Sequence, residues 1–337
     1  MTSVRPGIRR DAAAVDEGRD LAVVTEGLGR SFGDVRAVAD VDLRIERGSI
    51  VGLLGPNGSG KTTLIRMLST LLRPTSGRAW VAGADVLTDR AEVRRHIGLT
   101  GQFAAVDEFL TGQENLEMMG RLLGMSAGDA RARAHGLLGS FELLDAADRA
   151  LSTYSGGMRR RLDLALSLTG RPAIVFLDEP TTGLDPRSRF AMWRVIEELG
   201  SDGTTVLLCT QYLEEADHLA ERVVILDRGR VVAEGPPATL RAEVGGDVVE
   251  IVLRDEGQVD RAVGVLRAVA SRPIESAGDG RVLRIPVLTS EHLADVVRLL
   301  DSAGVAFSGL SLREPTLDDV FLALTGRHAE RPVEGSP

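Results

Sequence analysis

Eight consecutive residues constrain this chain more than any other feature: Gly55-Pro56-Asn57-Gly58-Ser59-Gly60-Lys61-Thr62. A short apolar run at 50–54 precedes them, as expected of a buried strand, and a helical pattern with Leu64, Ile65, Leu68 and Leu72 follows. Glycines at this spacing, between strand and helix, let successive backbone N–H groups face phosphate oxygens, and the helix dipole favours negative charge there. These eight residues, with Thr63, are therefore expected to cradle the phosphates of a nucleotide. Lys61 would reach the β- and γ-phosphates, and the Thr62 hydroxyl would coordinate Mg2+. Composition sharpens the point, because Lys61 is the only lysine and every other basic side chain of this type is arginine. A planar guanidinium substitutes poorly for a compact ammonium between phosphate oxygens.

The remaining composition mostly excludes. With 40 Lys+Arg against 49 Asp+Glu the formal charge is −9, which argues against a general nucleic-acid binder. One cysteine, Cys209, rules out an internal disulfide and every multi-cysteine metal site, and fits a reducing compartment. The first twenty residues mix charges without an apolar stretch, and no run approaches 18 apolar residues. A signal peptide and a membrane span are not expected, and the chain reads as soluble and intracellular.

Further apolar runs at 173–177, 204–209 and 223–226 alternate with helical patterns, and about 107–170 reads as mostly helical. That alternation predicts an α/β core with a mostly parallel sheet. The expected division is a leader over 1–19, a nucleotide-binding domain over 20–240 with a helical subdomain at about 104–170, an accessory α+β domain over 247–326, and a tail over 327–337. Gly235-Pro236-Pro237 and Gly245-Gly246 mark the change of pattern. Beyond them the order β-α-β-β-α-β, with a closing helix, resembles the split βαβ, ferredoxin-like arrangement. The run at 174–177 ends in Asp178 and Glu179. At the carboxyl end of a buried strand, Asp178 would hold Mg2+ or its waters, and Glu179 would polarise an attacking water as general base.

Tyr154-Ser155-Gly156-Gly157-Met158 makes a family visible. Together with the phosphate loop it resembles the nucleotide-binding subunit of an ABC transporter, whose signature usually reads Leu-Ser-Gly-Gly-Gln. Here Tyr154 stands for the leucine and Met158 for the glutamine. The resemblance implies a P-loop NTPase (RecA-like) ATPase domain that uses ATP and Mg2+. Phe32 would then stack on adenine, and Gln102 would touch Mg2+ and face the membrane partner. Ser155, Gly156 and Gly157, opening a helix near Met158, would meet the ATP bound by a second subunit. Asp185, in Gly183-Leu184-Asp185, would lie at that dimer interface. One position departs from the pattern: where the family usually has a histidine, this chain has Gln211. A glutamine amide can orient a phosphate and a water, yet does not titrate near neutral pH. Gln211 thus suits either a working ATPase, with Glu179 and Lys61, or a slow or non-hydrolysing one. His218 reads as a solvated surface residue, and the Arg159–Arg161 run as one face of the signature helix.

Three longer stretches, YSGGMRRRLDLAL from Tyr154, QYLEEAD from Gln211 and EPTLDDVF from Glu314, resemble the daunorubicin/doxorubicin-resistance type of bacterial drug-exporter ATPase. That resemblance implies a homodimer, a separate transmembrane permease, an amphipathic drug or secondary metabolite as cargo, no nucleic-acid partner, and a place at the cytoplasmic face of the membrane. Export of a lipid or polysaccharide, and nucleotide sensing without turnover, are the competing readings. The surface around 102–109 is expected to receive the permease, and residues 314–321 to dock on this or a neighbouring ATPase domain.

Overall fold

The computed structural model describes residues 20–101, 106–244, 246–277, 280–288 and 291–326. The expected leader and tail lie outside the described residues. Three sheets organise the rest. The first is antiparallel, in the order β2 (Val35–Glu46), β1 (Leu21–Phe32), β4 (Ser76–Val81), β5 (Ala84–Asp85). The second runs β10 (Arg230–Gly235), β9 (Arg222–Asp227), β3 (Ile50–Leu54), β8 (Thr205–Thr210), β7 (Ile174–Asp178), β6 (Ile97–Thr100). Its pairings are parallel except for the β10 edge. Strands β3, β7 and β8 are buried at every residue, which is why their sequences read as continuous apolar runs instead of alternating.

Register in this sheet places the chemistry. Leu54 pairs with Thr210, and Asp178 with Cys209. Gly55, Glu179 and Gln211 therefore leave the sheet at one edge, the carboxyl ends of three adjacent strands. Helices α1 (Lys61–Leu68), α2 (Arg90–His96), α6 (Pro186–Ser201), α7 (Leu213–Leu219) and α8 (Pro237–Val244) surround the two sheets. A separate helical layer holds α3 (Gly112–Leu122), α4 (Ala127–Ser140) and α5 (Gly156–Ser167). Thr111, Ser126 and Ser155 each accept the N3 amide of their helix, so short polar residues set all three starts. One boundary differs from expectation: helix α5 begins at Gly156 because Ser155 caps it. Helix α7 stops at Leu219, and Arg222 opens β9.

The third sheet is antiparallel, in the order β12 (Glu275–Ala277), β13 (Val282–Val287), β11 (Asp247–Leu253), β14 (Phe307–Arg313). Counted from β11, that is the order 2-3-1-4 of the expected split βαβ topology. Helices α9 (Val259–Leu266) and α10 (His292–Ser302) cover Val249, Ile251, Leu253, Leu283 and Ile285. The closing helix α11 (Leu317–Thr325) does not join this core. Its Leu317, Val320 and Phe321 pack with Leu54, Leu213, Ala216, Ala220 and Leu240, so the 314–321 segment docks on its own chain. Among the described residues no helix is long and apolar enough to cross a membrane.

Candidate nucleotide site

The phosphate loop is tightly held and cannot tolerate side chains at its ends. Gly60 caps α1 with φ 110°, and a Cβ there would stand 2.5 Å from the Ala37 carbonyl oxygen. A Cβ on Gly55 would collide with the Leu226 carbonyl oxygen. The Gly229 amide donates to Ser59 O at 2.8 Å, which ties the loop to the β9–β10 turn. Inside this frame Lys61 is buried, and its Nζ donates to Gly55 O (2.6 Å) and Pro56 O (3.2 Å). Ser59 Oγ is buried with no hydrogen-bond partner among the described residues. A buried ammonium hydrogen-bonded to carbonyl dipoles, beside an orphaned hydroxyl and a helix N-terminus, is an anion-binding arrangement.

Next to it, Thr62 Oγ1 donates to Asp178 Oδ1 at 3.3 Å, joining the start of α1 to the end of β7. Asp178 is 5% exposed, and burial pushes its carboxyl up, against the opposing pull of the Thr62 hydroxyl and the Lys61 charge. Two hard oxygen donors in contact, with a desolvated carboxylate that gains from a neighbouring cation, fit Mg2+. Glu179 follows with φ 53°, in the left-handed region. Its amide donates to Cys209 O (2.9 Å) and its Oε2 accepts from Thr182 Oγ1 (3.2 Å). Gln211 Oε1 is buried without a partner among the described residues.

Sequence-predicted residues thus fall into two groups. Residues 55–62, Asp178, Glu179 and Gln211 gather at one sheet edge. The signature turn and Asp185 share a neighbour, Ser188. Asp185 caps α6, accepting Ser188 N (2.9 Å) and Ser188 Oγ (2.8 Å), and those bonds hold its carboxyl below the usual range. A Cβ on Gly157 would meet the same Ser188 Oγ at 2.6 Å, so glycine lets the signature turn approach α6 closely. Tyr154 is buried and donates to Ala146 O at 2.7 Å, which gives the aromatic at this position a structural partner. Phe32, at the end of β1, is 47% exposed with the Arg30 guanidinium 4.6 Å over its ring, so core packing does not occupy it. Gln102 and Phe103 lie outside the described residues, whereas Phe109 is 93% exposed. His218 is half-exposed, as read, but also stacks on Trp193 at 4.7 Å and meets Glu197 at 3.3 Å.

The run 159–161 is not one face. Successive helical residues point about 100° apart, and the three arginines diverge accordingly. Arg159 pairs at the surface with Glu108 (2.8 Å), and Arg161 reaches Phe141 O (3.0 Å). Arg160 turns inward to the carbonyls of Gly101, Asp178, Glu179 and Pro180.

Comparison with known proteins identifies the family. Residues 38–182 match the ABC transporter domain family. Daunorubicin resistance ATP-binding protein DrrA3 of Streptomyces coeruleorubidus is 52% identical over 308 residues, covering 91% of this chain and 96% of that one. The chain belongs to the ABC transporter ATP-binding proteins. Another member, the daunorubicin/doxorubicin resistance ATP-binding protein DrrA of Streptomyces peucetius, is 48% identical over 309 residues, 92% of this chain and 94% of its own. Among solved structures, a dimeric ATP-binding cassette in a post-hydrolysis state with ADP and Pi aligns with TM-score 0.58 and 29% identity, over 64% of this chain and 98% of that one. As an ABC ATPase, the protein has the P-loop NTPase fold of that family.

Proposed function

We propose that this chain is the ATP-hydrolysing subunit of a bacterial exporter that expels an amphipathic drug or secondary metabolite. The observation that carries the reading is the convergence of Lys61, Thr62, Asp178, Glu179 and Gln211 at one edge of the parallel sheet, with Thr62 and Asp178 in contact at 3.3 Å. Residues Gly55, Pro56, Asn57, Gly58, Ser59, Gly60 and Thr63 line the phosphates with their backbone, and Lys61 exchanges its carbonyl partners for phosphate oxygens. Thr62 and Asp178, with Gln102, would hold Mg2+, which would supply neutralisation of the phosphate charge. Glu179 takes the proton of the attacking water, and Gln211 orients that water without changing charge. Phe32 stacks on the adenine ring.

Gly157 and Asp185 meet at Ser188, and with Ser155 and Gly156, at the starts of α5 and α6, they are the residues offered to a partner subunit. In an isologous, two-fold dimer each signature turn faces the partner's loop. ATP closes that dimer and hydrolysis reopens it, a ligand-driven shift between two states. A separate permease at the cytoplasmic face of the membrane would receive the motion through the surface bearing Phe109. The cargo class rests on the resistance named in the relatives of highest identity quoted above. Phosphate release with MgATP tests the reading, comparing wild type with Glu179→Gln and Lys61→Ala. Turnover lost in both, with an ATP-stabilised dimer in Glu179→Gln, is expected. Intact ATP binding with no wild-type turnover, with or without the permease, would mark a nucleotide sensor instead.

A further inference from the structure

The side chain of Arg160 is 19% exposed, and its hydrogen bonds among the described residues all go to backbone carbonyls. Nε donates to Pro180 O at 2.9 Å, one terminal nitrogen to Gly101 O at 2.9 Å, and the other to Asp178 O at 3.1 Å and Glu179 O at 2.6 Å. Asp163, one turn along the same helix and 6% exposed, supplies the counter-charge at 3.8 Å. A single planar fork therefore joins three places: helix α5, which opens with the signature turn; the end of β6, immediately before Gln102; and the end of β7, where the two acids lie.

Glu179 needs such a clamp. Its φ of 53° is unfavourable for a residue with a Cβ, and a conformation of that kind persists only where its surroundings over-determine it. The preceding amide is fixed by Cys209 O, and the following carbonyl by Arg160. With the peptide groups on both sides of the residue pinned, the direction of the Glu179 side chain is set by backbone.

We infer that Arg160 is a positioning residue for hydrolysis: it locks the backbone of Glu179 and couples the signature helix to the general base and to the Gly101 carbonyl within one subunit. This rests on the reading of Glu179 as the base. A rotation of the helical layer that carries α5 would be transmitted to the water-activating carboxylate through this fork. Lysine cannot reproduce it, because three donors on one nitrogen do not span four carbonyls.

The test is steady-state hydrolysis of MgATP by the full chain, in Arg160→Lys, Arg160→Gln, the surface control Arg159→Ala and Glu179→Gln, each with its melting temperature and ATP affinity. Arg160→Lys is expected to lower kcat by about tenfold or more, since sub-ångström misplacement of a reacting group has effects of that order, with KM for ATP within about twofold. Arg160→Gln is expected to lower it further, and Arg159→Ala to behave as wild type. A folded Arg160→Lys with wild-type kcat, or with only KM raised, overturns the inference. So does failure of both Arg160 variants to fold, which would make the residue a scaffold requirement. Retained turnover in Glu179→Gln overturns the general-base reading instead, whatever the arginine variants do.

Discussion

The amide of Glu179 donates to the carbonyl of Cys209 at 2.9 Å, one residue past the point where Asp178 pairs with Cys209 in the sheet. Strand β7 thus keeps its hold on the chain after the strand conformation has ended, and Glu179 turns into the left-handed region while still bonded to β8. Placement of the carboxylate is a property of the sheet edge and not of a free loop.

That strain has a measurable signature. Glycine carries no Cβ penalty at φ 53°, although it has more chain entropy to lose on folding. Glu179→Gly is expected to abolish ATP hydrolysis yet to raise unfolding stability, by up to about 1 kcal/mol. Denaturant midpoints beside those of wild type give the answer. A loss of stability of similar size would mean that the conformation costs the protein nothing.

Lys61→Arg keeps the charge and changes the shape. The Lys61 ammonium fits between the carbonyls of Gly55 and Pro56, under a loop that Gly60 holds against Ala37. A guanidinium is planar and wider, so ATP affinity is expected to fall at least about tenfold, or about 1.4 kcal/mol. Titration with a fluorescent ATP analogue measures it. Wild-type affinity would show that charge alone matters at this position.

Glu215 offers a pH test with a definite sign. It is 1% exposed, and burial pushes its carboxyl up, against the neighbouring Thr210 and Thr181 hydroxyls, the hydrogen bond from Trp193 Nε1 and the nearby Arg189 charge. The folded state then holds the proton more tightly than the unfolded chain. Stability from this group is therefore full at low pH and is lost as pH rises from the ordinary carboxylate value through the raised one. Asp178 and Glu234 shift in the same direction, so the informative quantity is the difference between two proteins. Glu215→Gln, which keeps an acceptor for Trp193 Nε1, is expected to flatten part of the decline in unfolding free energy above pH 4 to 5. Parallel curves for the two proteins would count against it.

Much of this was legible in the residues. The phosphate loop announced itself because its glycines are required by backbone geometry, and the continuous apolar runs of β3, β7 and β8 mark strands buried on both faces. The accessory sheet was readable because Val249, Ile251 and Leu253 alternate, as half-buried strands must. Arg160 was not legible. A sequence shows three adjacent arginines, but which one points inward depends on where α5 lies against β6 and β7, a tertiary fact. The stacking of His218 on Trp193 was hidden for the same reason, since the two belong to different helices.

Phe321 is 1% exposed and packs among Leu54, Leu213 and Ala216. Phe321→Ala is expected to cost about 3–5 kcal/mol, the usual range for emptying a buried aromatic site. Calorimetry should show the loss in the unfolding of the nucleotide-binding half, because Leu54 directly precedes the phosphate loop. A loss confined to a separate transition of the accessory sheet would contradict the packing.

The path of α11 also sets rules for recombination. A chimera that exchanges the accessory sheet between relatives, cutting only after α8, would bring a foreign helix onto the native surface of Leu213, Ala216 and Leu240. The interchangeable piece is 247–313 alone. Residues 317–325, though last in sequence, must travel with the ATPase as part of its core.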